Sequence, residues 1–490
     1  MGKGIRDARD TLRGIDAIFN ARSVAVVGAS DDERKLGFHV MKSLIQGGYS
    51  GTIFPINPRK REILGMKGYP SLAHVPEMVD LCIVALPAGL VPGIIRDCGE
   101  KGVKGVVLIT AGFREIEDES GGRLQDEITS LADEAGIPVI GPNTFGIVNL
   151  HAGLNASFTP QFSNVKKGGI SLLSQSGGMS HMMGFLSMRD DFGFSKIVGL
   201  GNRCTIDFAD MIAYLMRDPA TRVIAMYVEG IDNPRRLLEV AKAFRGKKPI
   251  VAYKVGLSAV SDLASKSHTG SLAGRHELYE GAFKQAGILT VESSLELLDA
   301  AKALSSSPLP KGRAVAVLSG QAGPAMAACD MCEKEGLRVV PFSGETRRRI
   351  EDLLPPMAIR TNPVDMGPAW YDSRAIRGIV ESVLRDKAVD AILLCIMFAS
   401  ANEGSIRALS GSLGKWGREK PIVCCLSSPP GIWDEEVESL VEKGSIINYP
   451  TPERAAKSLS ALWKYKSVKE TSKGMGKALE RLHIPKGRGP

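Results

Sequence analysis

The sequence predicts an α/β protein of three consecutive units, each a parallel sheet covered by helices. Three observations carry that prediction. Short apolar runs bounded by Gly, Pro or Asn alternate with amphipathic stretches along the whole chain, the pattern of strands buried on both faces. At 490 residues the chain exceeds one ordinary domain, and length alone suggests three. A loop over 149–167 and a plain linker, Ser305-Ser306-Ser307-Pro308-Leu309-Pro310, divide the apolar runs into groups of five.

The first unit (1–150) has strands predicted at 24–27, 52–56, 81–85, 106–109 and 138–140. After the first strand, Gly28, Ala29 and Ser30 lead through 31–36 into a helix starting near Gly37. Glycine there lets backbone amides approach a phosphate, and the helix N-terminus favours an anion. Only part of a G-x-G-x-x-G pattern is present. The second strand ends Pro55-Ile56-Asn57-Pro58 before Arg59, Lys60 and Arg61, where an NAD site wants Asp or Glu for the ribose hydroxyls. That argues against a nicotinamide dinucleotide and suits a ligand with extra phosphate, such as coenzyme A. A solvated basic turn is the competing reading for those three charges. Pro87 after the third strand, Thr110, Ala111, Gly112 and Phe113 after the fourth, and 141–146 after the fifth complete a rim of loops at one edge.

The second unit (151–304) has strands predicted at 170–174, 197–200, 223–228, 250–253 and 289–291. Its first strand runs into Ser174, Gln175, Ser176, Gly177 and Gly178, then into a Met-rich helix. Two serines, exposed amides and a helix N-terminus make an anion site without a lysine, or simply an N-cap with a glycine turn. His181, one turn into that helix, reads as a packed helix residue. Glu229 ends an otherwise apolar strand at the ligand-facing edge, a costly place for a carboxylate without a purpose, capping of the next helix being the structural alternative. Asp207 is a weaker case of the same kind, and Lys254 follows the fourth strand. Ser267 to Gly274 reads S-H-T-G-S-L-A-G and sets His268 among small and hydroxylated residues. A neutral imidazole there is a competent nucleophile toward phosphorus, and Glu229 is placed to accept its other ring N–H. Taken alone, the segment also reads as a glycine-containing loop with a surface histidine.

The third unit (311–465) has strands predicted at 315–318, 337–340, 391–395, 422–425 and 446–449, with Trp463 closing its last helix and a basic tail over 466–490. From Lys464 onward eight Lys or Arg face two Glu, so most of the formal +8 belongs to that tail and the body is nearly balanced. No aromatic-interleaved basic face accompanies it, which argues against nucleic acid. No apolar run of about 18 residues predicts a membrane span, and the N-terminus lacks the apolar core of a secretory signal. Eight cysteines, mostly in apolar runs, suit a reducing cytoplasm. Cys329-x-x-Cys332 stands without a second pair, so no metal site is expected.

The joint order of G-A-S, I-N-P, T-A-G-F, G-P-N-x-x-G, S-Q-S-G-G, Y-V-E-G, S-H-T-G-S-L-A-G and, in the third unit, Asn362-Pro363-Val364-Asp365 closely resembles the alpha subunit of ADP-forming acyl-CoA synthetases, in the succinyl-CoA synthetase superfamily. The resemblance covers roughly 16–465. It implies a CoA-binding Rossmann-like domain followed by two flavodoxin-like ligase domains. It implies that acyl-CoA and phosphate give an acyl phosphate and CoA, that the histidine matching His268 carries the phosphoryl group with help from the glutamate matching Glu229, and that ADP then becomes ATP, all reversibly. CoA would sit on Gly28, Ala29, Ser30, Lys35, Asn57, Pro58, Pro87, Thr110, Ala111 and Gly112. Ser174, Gln175, Ser176, Gly177 and Gly178 would hold the transferred phosphate. A separate ATP-grasp beta subunit would bind Mg2+ and ADP or ATP, in an alpha2beta2 assembly. Two departures, Leu257 where the family commonly has Arg and Thr144 where it often has Cys, leave the acyl group open. A catalytically inactive CoA-binding regulatory or scaffold subunit is the alternative from another class.

Overall fold

The computed structural model describes residues 8–190, 192–256, 258, 260, 261 and 276–481. They fall into two compact units, one through Leu297 and one from Leu298, and three largely parallel sheets supply their frames. The first unit opens with helix α1 (Ala8–Phe19), which buries Ile15, Ile18 and Phe19 completely. Its first sheet comprises β1 (Ser23–Val27), β2 (Thr52–Ile56), β3 (Leu81–Val84), β4 (Gly105–Leu108) and β5 (Val139–Ile140). All pair in parallel, in the order β2-β1-β3-β4-β5. In β1, Val24 and Val26 enter one apolar cluster while Ala25 and Val27 enter another. Both faces are therefore covered, which is why the strand reads as a continuous apolar run.

The second sheet repeats that order with β8 (Lys167–Ser174), β9 (Phe194–Gly199), β10 (Val223–Val228), β11 (Ile250–Lys254) and β12 (Leu289–Val291), arranged β9-β8-β10-β11-β12. A hairpin of β6 (Gly146–Asn149) and β7 (Leu154–Ser157) joins it, β6 running antiparallel to β9. This corrects the expectation that 149–167 is plain loop. Asn155 and Ser157 look like loop residues, but the fold buries them and satisfies them locally. Asn155 Nδ2 donates to Thr159 O and Ser163 Oγ, and Ser157 Oγ donates to Asn155 Oδ1.

In the second unit, β13 (Ala314–Ser319), β14 (Arg338–Val339), β16 (Ala391–Met397), β17 (Ile422–Ser427) and β18 (Ile447–Asn448) take the same order, β14-β13-β16-β17-β18. A short strand, β15 (Val364–Asp365), pairs further along β13. The Asn-Pro-Val-Asp motif accounts for that extra strand. Asn362 accepts from Val317 N at 2.9 Å and donates to Val315 O and Val340 O, both at 2.8 Å, filling the gap between β14 and β15 with one side chain.

Two expectations about the ends of elements are revised. Ser305 and Ser306 finish a helix, Ser294–Ser306, and both hydroxyls donate back to Lys302 O, so only Ser307 and the Pro-Leu-Pro part are irregular. The last helix does not close at Trp463 but runs from Pro452 to Arg481. Residues 464–481 hold no proline and are rich in Lys, and Lys466 pairs with Glu470 at 2.9 Å one turn on. No helix of the described residues is long and apolar enough to cross a membrane.

Candidate active site

In each sheet the crevice opens where the chain winds away in two directions, between the second and third strands of the order. In the second sheet that point lies between the ends of β8 and β10. Ser174, the last residue of β8, is fully buried; its hydroxyl donates to Ser176 O at 2.8 Å and accepts from Ser176 N at 3.2 Å, closing a tight turn. Ser176 caps the helix α2 (Gly177–Arg189), accepting from Met179 N at 3.3 Å. The amides of Gly177 and Gly178 are thus the first of a helix, among those its own backbone leaves unpaired. Gly178 is exposed and carries no side chain to screen them.

Gln175 links the two sides of the crevice. Its Oε1 accepts from Glu229 N at 2.6 Å and from Gly230 N at 3.1 Å, just beyond the end of β10. With the carbonyl committed, the amide nitrogen has to face the other way. Gln175 is only 6% exposed, and among the described residues its Nε2 has no hydrogen-bond partner. A buried pair of N–H donors without an acceptor is costly and normally marks a missing ligand or water. Glu229 is itself 8% exposed. Burial, and next the Glu229 charge, push the neighbouring Tyr227 phenol up. The crevice therefore joins oriented donors to a nearby carboxylate.

Lys254, the register partner of Val228, lies beside this edge at 5% exposure. Its ammonium donates to Val255 O and sits 4.8 Å from the centre of the Tyr279 ring. His268 lies outside the described residues, as does Leu257. His181 packs as its helical position predicts. Its Nδ1 meets Gly177 O and its Nε2 meets Thr159 Oγ1, each at 2.6 Å, and the ring stacks on Phe158 and Phe162. Asp207 is a structural cap. Its carboxylate accepts from Ala209 N and Asp210 N at the start of helix α3 (Phe208–Leu215), and Arg236 pairs with both acids. Burial and the Asp210 charge push Asp207 up to about 6, against the pull of Arg236. Cys329 and Cys332 share one helix, where burial raises the thiols to about 11 and about 12.

In the first sheet the loops after β1, β2, β3 and β4 all leave from the carboxyl edge, and they carry the residues singled out from the sequence. Gly28 has φ +93°, and a Cβ there would lie 2.4 Å from Ala85 O. At Gly37 a Cβ would lie 1.9 Å from Gly28 O, so the helix Leu36–Gln46 begins with backbone against backbone. Most of the polar groups here brace the loops. Ser30 Oγ accepts from Asp32 N, Asn57 Nδ2 donates to Ala29 O while its Oδ1 accepts from Arg59 N, and Thr110 Oγ1 donates to Leu86 O. Lys60 pairs with Asp31, whose carboxyl it holds below the ordinary value. Ala29 is buried. Lys35, Pro58, Pro87 and Ala111 lie on the rim, with Leu36 and Leu90 exposed beside them. Gly112 has φ +105°, and its amide is taken by Glu115, a residue that motif reading passes over. The available signal is a carboxylate two residues past the T-A-G-F turn, within reach of that turn's amides.

Comparison with known proteins agrees with this architecture. The CoA binding domain family matches residues 22–149, and the succinyl-CoA ligase like flavodoxin domain family matches 167–304. The alpha subunit of acetate–CoA ligase [ADP-forming] II from Pyrococcus furiosus is 39% identical over 91% of this chain and 97% of its own length. Acetate–CoA ligase [ADP-forming] I of Archaeoglobus fulgidus is 37% identical over 93% of this chain, which spans 64% of that longer protein. Among solved structures, dinucleotide forming acetyl-coenzyme A synthetase 1 of Ca. Korarchaeum cryptofilum, in complex with phosphate and ADP, superposes with a TM-score of 0.86 at 33% identity, covering 93% of this chain and 98% of that one. Identity of this level, sustained across all three sheets, places the chain in the family of ADP-forming acetate–CoA ligase alpha subunits.

Proposed function

We propose that this chain is the CoA-binding and phosphoryl-carrying subunit of an ADP-forming acyl-CoA synthetase, interconverting acyl-CoA, ADP and phosphate with carboxylate, CoA and ATP. The observation that carries the reading is Gln175. Its carbonyl is locked by the amides of Glu229 and Gly230, and its buried N–H pair has no partner among the described residues, beside the first amides of the helix that Gly177 and Gly178 begin. Such donors suit the oxygens of a phosphoryl group, and they suit them best while negative charge is building up there.

A phosphate oxygen attacks the thioester carbonyl, the C–S bond breaks, and CoA leaves as its thiolate. A ring nitrogen of His268 then attacks phosphorus, the P–O bond to the acyl group breaks, and carboxylate departs. Glu229 accepts the other ring N–H and steadies the cationic character of the phosphohistidine. CoA occupies the loops at the carboxyl edge of the first sheet, around Gly28, Ala29, Ser30, Lys35, Asn57, Pro58, Pro87, Thr110, Ala111 and Gly112. The site of ADP and Mg2+ belongs to a separate ATP-grasp beta subunit, in an alpha2beta2 assembly in the cytoplasm. The alpha-subunit names of relatives matched over nearly their whole length support a partner.

The test is co-expression with the partner and incubation with ATP labelled at its γ-phosphate. The expected result is an acid-labile, base-stable label that disappears in His268→Ala. A label that persists in that variant would remove His268 as the carrier.

A further inference from the structure

We propose that Glu115 is a positioning residue that sets the CoA loop of the first sheet in register with the phosphate turn of the second, an inference that rests on the function proposed above. One carboxylate oxygen, Oε1, accepts from the amides of Gly112 and Phe113, the latter at 3.2 Å. The other, Oε2, accepts from Asn202 Nδ2. Glu115 is thus the point where the loop after β4 meets the loop after β9.

The connection continues on both sides. Toward the first sheet, Thr110 Oγ1 donates to Leu86 O at 2.8 Å, tying the loop after β4 to the loop after β3. From the second-sheet loop back to the first domain, Asn202 Nδ2 also donates to Gln125 Oε1 at 3.1 Å, in the helix after β4, and Asn202 N donates to Pro142 O at 2.9 Å, in the loop after β5. Asn143 N in turn donates to Thr110 O at 2.8 Å. Thr144 Oγ1 donates to Gly199 O at 2.7 Å, and Leu200 N donates to Ser174 O at 2.8 Å. A run of hydrogen bonds and adjoining backbone therefore leads from the rim of the first sheet to the first residue of turn 174–178. Three loops meet here with close backbone contact: a Cβ on Gly201 would lie 2.1 Å from Pro142 O. A charged acceptor is the strongest single link in such a run, because hydrogen bonds to an ionised group are about twice as strong as neutral ones.

The arrangement has a chemical consequence. The Gly112 and Phe113 amides are spent on Glu115, so this loop offers CoA its shape, its carbonyls and the Ala111 face, not those two donors. What Glu115 controls is where the loop stands relative to Ser174. A thioester has to be held within about 3–3.5 Å of the attacking phosphate oxygen, so small displacements between the two loops are felt in the acyl-transfer step.

The polarity of the link allows a test by reversal. In Glu115→Gln the side-chain carbonyl still caps the two amides, but its NH2 group faces the NH2 group of Asn202. In Asn202→Asp two carboxylates face each other. In the double variant the amide introduced at position 115 donates to the carboxylate introduced at position 202, Gln125 turns its own amide so that Nε2 meets the same carboxylate, and the link is restored with donor and acceptor exchanged. Three quantities are measured on the full chain: CoA affinity by calorimetry, the KM for CoA with the partner subunit present, and the yield of labelled phosphohistidine from ATP. The last step does not use CoA and reports that each variant is folded with an intact phosphate turn. Each single variant is expected to weaken CoA binding and raise its KM roughly tenfold, about 1.4 kcal/mol, with phosphohistidine yield unchanged and the double variant recovering most of the loss. Single-variant losses that add in the double, or Glu115→Gln with wild-type CoA affinity, overturn the proposal. A wild-type chain that does not bind CoA at all defeats the proposed function and this inference with it, whereas CoA binding indifferent to Glu115 defeats only the inference.

Discussion

Gln175 offers the sharpest quantitative test of the crevice, because its two ends do different work. Gln175→Leu keeps the bulk but removes the acceptor shared by Glu229 N and Gly230 N. Each buried amide left unpaired costs about 1–3 kcal/mol, so the segment carrying Glu229 opens more readily. Amide hydrogen exchange reads that directly: protection at Glu229 and Gly230 is expected to fall roughly 10- to 100-fold, while amides in the interior of β10 stay protected. Gln175→Glu separates the two roles. A carboxylate still accepts from both amides, so protection holds, but its second oxygen now faces the site where Nε2 stood. One hydrogen bond to a charged group is worth about 1.5–3 kcal/mol, so orthophosphate affinity is expected to drop by at least about 10- to 150-fold, with like-charge repulsion added. Calorimetric titration with orthophosphate measures it. A Gln175→Glu chain that binds orthophosphate as tightly as the wild type would refute the reasoning that the buried N–H pair of Gln175 is a phosphate donor.

Two further predictions concern stability. Asp207, raised from an ordinary value of 3.8 to about 6, favours the protonated form in the folded chain, so its stabilising contribution is complete below about pH 4 and is lost as pH rises through 6. Asp207→Asn keeps a competent N-cap and should remove a slope of about 1–3 kcal/mol between pH 4 and 6, read as the urea midpoint of the first unit; equal slopes in both chains would contradict the assignment. Lys196, 2% exposed in the middle of β9, pairs with Asp218 at 2.6 Å. Lys196→Met leaves a mostly buried carboxylate without its ammonium, hydrogen-bonded still to Thr221, and should cost about 3–5 kcal/mol, most of it regained in Lys196→Met with Asp218→Leu, as thermal unfolding of both variants will show.

Much of this site is legible in one dimension because its chemistry resides in short contiguous motifs. A parallel strand buried on both faces reads as an apolar run, and the loop at its carboxyl end carries whatever is not apolar. Turn 174–178 and Glu229 stand out for that reason. Asn57 marks where such legibility ends. Its amide character argues against a ribose-binding acid, yet its side chain is committed to Ala29 O and Arg59 N. Asp207 is another case. A carboxylate at a ligand-facing edge looks the same in sequence whether it meets a substrate or caps a helix, and only the positions of Ala209 N and Asp210 N distinguish the two. The β6–β7 hairpin was hidden because buried Asn and Ser mimic loop composition until their partners are known.

By itself the sequence determined the α/β class, the strands that anchor each sheet and the order of the motifs along them, because burial on both faces and glycine-dependent turns are imposed residue by residue. Only the tertiary structure decided that the second and third sheets repeat the order of the first, that Gln175 turns its carbonyl to Glu229 and keeps its amide without a partner among the described residues, and that Glu115 joins two loops through Asn202. Those facts depend on contacts between residues 54 and 87 positions apart. A hydrogen bond has a direction, and no local pattern specifies the partner at that separation.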